Sequence, residues 1–155
     1  GSPGLQALLE EAENERMHLL TFLEMRQPSW MFRAAVLLAQ GAYFNMFFIS
    51  YLISPKFCHA VVGYLEEEAV KTYTHLLHDI DAGHVWKDKP APKTGIAYWK
   101  LSPDATMRDL ILAVRADEAS HSLVNHTLSE IPSDAPNPFI EPAKADAFSK
   151  AENKL

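Results

Sequence analysis

A single cysteine, Cys58, in 155 residues excludes a disulfide framework and any zinc or redox site of the CxxC type. Its ordinary role is that of a small buried apolar residue. A basic surplus is missing too. The 14 Lys and Arg stand against 20 Asp and Glu, a net charge of -6, which argues against a general nucleic-acid binder. Strand-type alternation and hairpin dipeptides are scarce, which leaves an all-α bundle as the fold class. The opening residues carry no signal or transit pattern of their own; Gly1-Ser2-Pro3-Gly4 runs directly into the first helical pattern and reads as a cut end. What is present, 48% apolar and 22% charged residues, suits one folded domain with a real core.

Ten prolines punctuate the chain and leave four long proline-free stretches, 4–27, 29–54, 56–89 and 104–131. Proline interrupts helix interiors, so these stretches bound four expected helices. In the first, Leu5, Leu8, Leu9, Ala12, Leu19 and Leu23 recur at helical steps. Ser102-Pro103-Asp104 reads as the N-cap and first turn of the last. A Lys-, Pro- and Gly-rich loop is expected from about Asp81 to Leu101. The helical portion is set at 1–128, and a polar, proline-rich tail at 129–155. The second stretch is unusual, because 34–53 contains no charged residue. Three readings fit it: a buried bundle helix, a membrane span, or a helix lying in the membrane interface. Gln40, Asn45 and Ser50 would each need a polar partner in a span.

The chemistry is concentrated in a repeated motif. Glu15 and His18 in the first helix, and Glu118 and His121 in the last, are each spaced ExxH, one turn apart on one helix face. A lone ExxH is weak, since helices are rich in both residues. Two on separate helices of a bundle match the way ferritin-like carboxylate proteins bind two iron or manganese ions, with one further Glu from each of two other helices. The third stretch offers Glu66, Glu67 and Glu68. Glu66 has Val62, Gly63, Ala69 and Val70 at its three- and four-residue steps, and Tyr73 two turns on, and is the inward candidate, with Glu68 bordering it. Glu67 has Lys71 as an i,i+4 partner on a wet face, and three solvated glutamates are the plainer alternative. The second stretch supplies no acid, so the inventory is one Glu short. Glu10, Glu11 and Glu13 share a helix with Glu15 and are not expected to reach round it. His75, His78, His84 and His126 have no ExxH partner and are assigned to structure or surface.

Three blocks, Asn14-Glu15-Arg16-Met17-His18, Leu65-Glu66-Glu67-Glu68-Ala69 and Arg115-Ala116-Asp117-Glu118-Ala119-Ser120-His121, resemble the signatures of the alternative oxidases, the cyanide-insensitive ubiquinol oxidases of mitochondria. The likeness runs from about Leu8 to Phe139 and is closer to the mitochondrial branch than to the plastid one. It implies an incomplete ferritin-like di-iron carboxylate bundle, four of the family's six helices, with the remaining Glu ligand on an earlier helix. It also implies two iron ions held by Glu15, His18, Glu66, Glu118 and His121, and a redox-active Tyr73. Leu65, Glu68, Ala69 and Thr72 would line a quinol pocket, and Asn14, Asp117 and Trp99 would hydrogen-bond behind the ligands. Arg16, Leu19 and Gln40 would lie at a homodimer interface. The second helix would hold the protein to one leaflet of the inner mitochondrial membrane, on the matrix side, without spanning it. The implied activity is oxidation of ubiquinol by O2, giving water, without proton pumping, and this chain alone is expected to be inactive. Bland alternatives stand beside it: core packing for Tyr73, a loop anchor for Trp99, a solvated Asp117. Two other functions also fit, a desaturase or hydroxylase and a metal-free membrane-surface bundle.

Overall fold

The computed structural model describes residues 5–132, 135, 138 and 139, and the described residues are all-helical without a named strand. Helix α1 spans Leu5–Met25, α2 Trp30–Ile53, α3 Pro55–Asp81, α4 Lys93–Tyr98 and α5 Met107–Glu130. The four long helices match the four proline-free stretches, with α3 beginning on the bounding Pro55, and α4 lies where a loop was expected. The tail expected from residue 129 lies, beyond Pro132, almost wholly outside the described residues.

Local chemistry sets the ends. Ser29 caps α2 by accepting from the Phe32 amide, and Ser54 caps α3 by accepting from the Phe57 amide, each at 3.3 Å. Pro55 then occupies the first turn of α3, where its missing N–H costs no helical bond. The expected cap of the last helix is corrected. The helix begins at Met107 behind Thr106, whose amide and hydroxyl both reach Asp109 Oδ2 at 2.8 Å. Ser102 instead bonds Asp104 in a turn before the helix. Residues 102–106 cannot start the helix because the chain there is tied back: Ala91 N donates to Ala105 O, and Met107 N to Lys89 O.

Helix α5 is the axis of the fold, packed mainly on α3 and also on α1. Its buried stripe changes character halfway along. Met107, Leu110, Ile111 and Val114 are wholly buried with Leu77 and Ile80 of α3, Ala91 and Ala105. Burying each large side chain contributes about 1.5–3 kcal/mol. One turn further the same stripe becomes Glu118, His121, Ser122 and Asn125, all buried. Helix α4 is locked over the apolar half by Gly95, where a Cβ would come within 2.8 Å of Leu110 Cδ1 and 3.2 Å of Thr21 Cγ2. Glu24 Oε2 of α1 accepts from the Thr94 amide and holds the start of α4.

Helix α2 behaves differently. It touches the rest through α3, and none of its residues is buried within this chain, so this part of the bundle does not cover it. It is the one described helix long and apolar enough to cross a membrane, with a mean hydropathy of 1.5. Asn45 and Ser50 bond back to the carbonyls of Gly41 and Met46 within the helix, so two of its polar side chains are already satisfied.

Candidate metal centre

Antiparallel pairing of α5 with both neighbours converges the acidic and imidazole groups. Glu15 of α1 faces His121, and His18 faces Glu118, while Glu66 of α3 faces Glu118. One ligand atom from each of Glu15, Glu66, Glu118 and His121 lies within 4.8 Å of all the others, around a common space. His18 stands at its edge, with Nδ1 at 3.4 Å from both Glu15 Oε1 and Glu118 Oε1.

These groups fit a cation. His18 Nδ1 and His121 Nδ1 are buried and make no hydrogen bond, although His121 Nδ1 lies only 3.0 Å from Glu15 Oε1. The approaches are close but off the hydrogen-bond axis. An unsatisfied buried nitrogen costs about 1–3 kcal/mol, whereas a metal in the shared space would use its lone pair.

Behind His18 a second set of bonds fixes the ring. Asp117 Oδ2 accepts from Asn14 Nδ2 at 2.8 Å and Trp99 Nε1 at 2.7 Å, and lies 3.2 Å from His18 Nε2. The Trp99 ring stacks on His18 with centroids 5.6 Å apart. With its Nε2 proton directed at Asp117, neutral His18 presents a lone pair at Nδ1 to the carboxylates, the usual arrangement of a ligating histidine.

Electrostatics shows the strain of this cluster. Burial would raise Glu15, but His121 and His18 outweigh it and hold the carboxyl at about 2. Burial and the facing Glu118 carboxylate push Glu66 up to about 9, so it carries a proton at neutral pH. Burial opposes charging of His18, yet Asp117, Glu118 and Glu15 together raise it to about 11. Asp117 is held below its usual range because bonds from His18, Asn14 and Trp99 overcome the effect of burial. Tyr73, half-buried on α3, is raised to about 12 by burial and then by Glu118, Glu15 and Glu66, which places its ring in the field of the cluster.

A family description, alternative oxidase, matches residues 3–130. The chain belongs to the alternative oxidase family. It is 58% identical over 127 residues to ubiquinol oxidase 1b, mitochondrial, of Oryza sativa subsp. japonica, covering 82% of this chain and 38% of that protein. Against ubiquinol oxidase 1a, mitochondrial, of Arabidopsis thaliana it is 56% identical over 127 residues, 82% of the chain and 36% of the relative. Against alternative oxidase, mitochondrial, of Ajellomyces capsulatus it is 54% identical over 139 residues, 87% and 39%. The chain thus spans less than two-fifths of the length of these relatives.

The other residues singled out in this alternative oxidase segment take these places. Leu65, Glu68, Ala69 and Thr72 share one side of α3, but Leu65 is 55% exposed and Glu68 bonds Lys71 at 2.6 Å on the open surface. Thr72 Oγ1 donates to the Glu68 carbonyl. The Glu67–Lys71 pairing is corrected: Lys71 turns to Glu68, and Glu67 meets His126 Nε2 at 2.9 Å, because that face of α3 packs on α5. Arg16 pairs with Glu13, and Leu19 and Gln40 are exposed. Cys58 is buried, as expected. Sequence reasoning missed Glu11, Asn125, His59 and Tyr51, which form a hydrogen-bonded group beside the cluster. The signal was available: Glu11 lies one turn before Glu15, and Asn125 one turn after His121.

Proposed function

We propose that this chain is the metal-binding part of a mitochondrial ubiquinol oxidase that uses two iron ions to reduce O2 to water without pumping protons. The observation carrying this reading is the convergence of Glu15, Glu66, Glu118 and His121 around one space, with two buried imidazole nitrogens left unpartnered, in an alternative oxidase chain. The similar proteins are named ubiquinol oxidase or alternative oxidase, mitochondrial, which supports quinol and O2 as substrates and the mitochondrion as location. Bound iron would supply the redox chemistry, with Glu15, His18, Glu66, Glu118 and His121 as its ligands. Asp117, Asn14 and Trp99 hold the His18 ring in register.

Tyr73 is the proposed redox-active side chain, close enough for its hydroxyl to respond to three of the carboxylates. Leu65, Glu68, Ala69 and Thr72 form one wall of the proposed quinol site, whose opposite wall would come from outside this chain. Helix α2, wholly unburied and apolar, is the proposed surface of attachment to one leaflet on the matrix side of the inner membrane. Arg16, Leu19 and Gln40 are proposed homodimer contacts. The test uses the full-length protein reconstituted with ferrous iron, measuring O2 consumption with ubiquinol. Replacing Thr72 with Trp is expected to abolish quinol oxidation while iron content holds. Unchanged quinol turnover refutes the assignment of that wall, and O2 uptake with a fatty-acyl substrate in place of quinol favours a desaturase or hydroxylase.

A further inference from the structure

One turn from the metal-facing layer, each of the four long helices gives one side chain to a single hydrogen-bonded chain. Asn125 of α5 is 1% exposed and sits at its centre. Its Nδ2 reaches Glu11 of α1 at 2.8 and 3.1 Å and also the His121 carbonyl at 3.1 Å. Its Oδ1 lies 2.9 Å from His59 Nδ1 of α3. An amide oxygen only accepts, so His59 carries its proton on Nδ1. Neutral His59 then offers a lone pair at Nε2 to the Tyr51 hydroxyl of α2, 3.4 Å away. Every bond runs in one direction: Tyr51 to His59 to Asn125 to Glu11.

Position gives this chain its consequence. Glu11 and Asn125 stack directly on Glu15 and His121, one helical turn or about 5.4 Å along α1 and α5. Asn125 therefore fixes the separation and register of the two helices that carry four of the five proposed ligands. Its Nδ2 also donates to the backbone carbonyl of His121, one turn back on the same helix. Among the described residues, the Tyr51 bond is the only hydrogen bond from a side chain of apolar α2 to another helix.

We propose that the Tyr51–His59–Asn125–Glu11 chain is a positioning device for the metal centre, setting Glu15 against His121 and tying that geometry to the apolar helix. The proposal rests on the metal-centre reading. Asn125→Asp keeps the shape and the bond from His59 but places a carboxylate against that of Glu11. Glu11→Gln in the same background restores a donor–acceptor pair with the roles reversed.

The experiment titrates the detergent-solubilised 155-residue chain and these variants with Co2+ alone, following its visible absorption, and measures urea unfolding without metal. Asn125→Asp is expected to weaken Co2+ binding about 10- to 100-fold, the range for groups that orient ligands, and to shift the absorption bands. Adding Glu11→Gln should recover both affinity and urea midpoint. Equal Co2+ binding by Asn125→Asp and the parent overturns the proposal while leaving the metal centre standing. A weakening that Glu11→Gln does not recover also overturns it, since the loss then lies outside this bond. No Co2+ uptake by the parent overturns the metal-centre reading and the proposal with it. If Asn125→Asp loses its helicity, Tyr51→Phe, which removes one hydroxyl, carries the test. Shifted bands support the proposal, and unchanged bands overturn it.

Discussion

Replacing Asp117 with Ala strands three donors at once. Trp99 Nε1 and Asn14 Nδ2 bond Oδ2 at 2.7 and 2.8 Å, and His18 Nε2 lies 3.2 Å away. Each partner left unsatisfied costs about 1–3 kcal/mol when buried. The Asp117 side chain is 27% exposed, so water replaces part of what is lost. The expected destabilisation of the metal-free chain is therefore about 2–4 kcal/mol, less than the sum of three buried bonds. With a urea slope of about 1–3 kcal/mol per molar, the unfolding midpoint should fall by about 1–2 M. Asp79→Ala is the control: it removes a carboxylate of the same kind from an exposed pair with His84 at 3.5 Å. Its effect should stay within about 0.5 kcal/mol. Circular dichroism during urea titration of both variants decides the matter. If Asp117→Ala unfolds at the same urea concentration as Asp79→Ala, the three bonds do not organise the site.

Gly95→Ala should cost about 1–3 kcal/mol, because the added methyl meets Leu110 Cδ1 at 2.8 Å in a core with no spare room; a thermal scan showing no loss would contradict the close packing of α4. Metal binding should release protons, since Glu66 near 9, His18 near 11 and His121, raised against the effect of burial by Glu15, hold protons near neutral pH that they must lose to act as ligands. Calorimetry in buffers of different ionisation enthalpy should find about two or more protons released at pH 7, fewer as pH rises through 9, while affinity increases over the same interval; a release independent of pH would refute the Glu66 assignment. Phe44→Glu with Phe48→Glu should reduce binding to lipid vesicles and leave metal-free stability unchanged, because both rings are exposed; vesicle binding equal to the parent would remove α2 from the membrane face.

The limits of the long helices and the gathering of Glu15, Glu66, Glu118 and His121 were readable because both depend on local spacing. Proline bounds a helix wherever it falls, and ExxH places Glu and His on one face whatever the tertiary fold. Glu66 could be chosen among three glutamates because its small, apolar neighbours mark the face that packs inward. Features that depend on partners distant in the chain were not readable. Helix α4 is a Lys-, Thr- and Gly-containing segment of weak propensity that forms where Gly95 lets it close on Leu110 and Thr21. Ser102-Pro103-Asp104 has good capping chemistry, but the backbone pairing of 89–91 with 105–107 delays the helix to Met107. Lys71 had two acceptors within reach, and packing of Glu67 against His126 decided between them. Glu11 was set aside for sharing a helix with Glu15, although that stacking is what brings it to Asn125.

Iron retained per chain, after anaerobic reconstitution with ferrous iron and desalting, tests the central claim most directly. The parent chain should hold iron in proportion to protein, and Glu118→Ala, which removes the buried carboxylate at the middle of the cluster, should lose it. Iron in the parent no higher than in Glu118→Ala would contradict the assignment of this cluster as a metal centre.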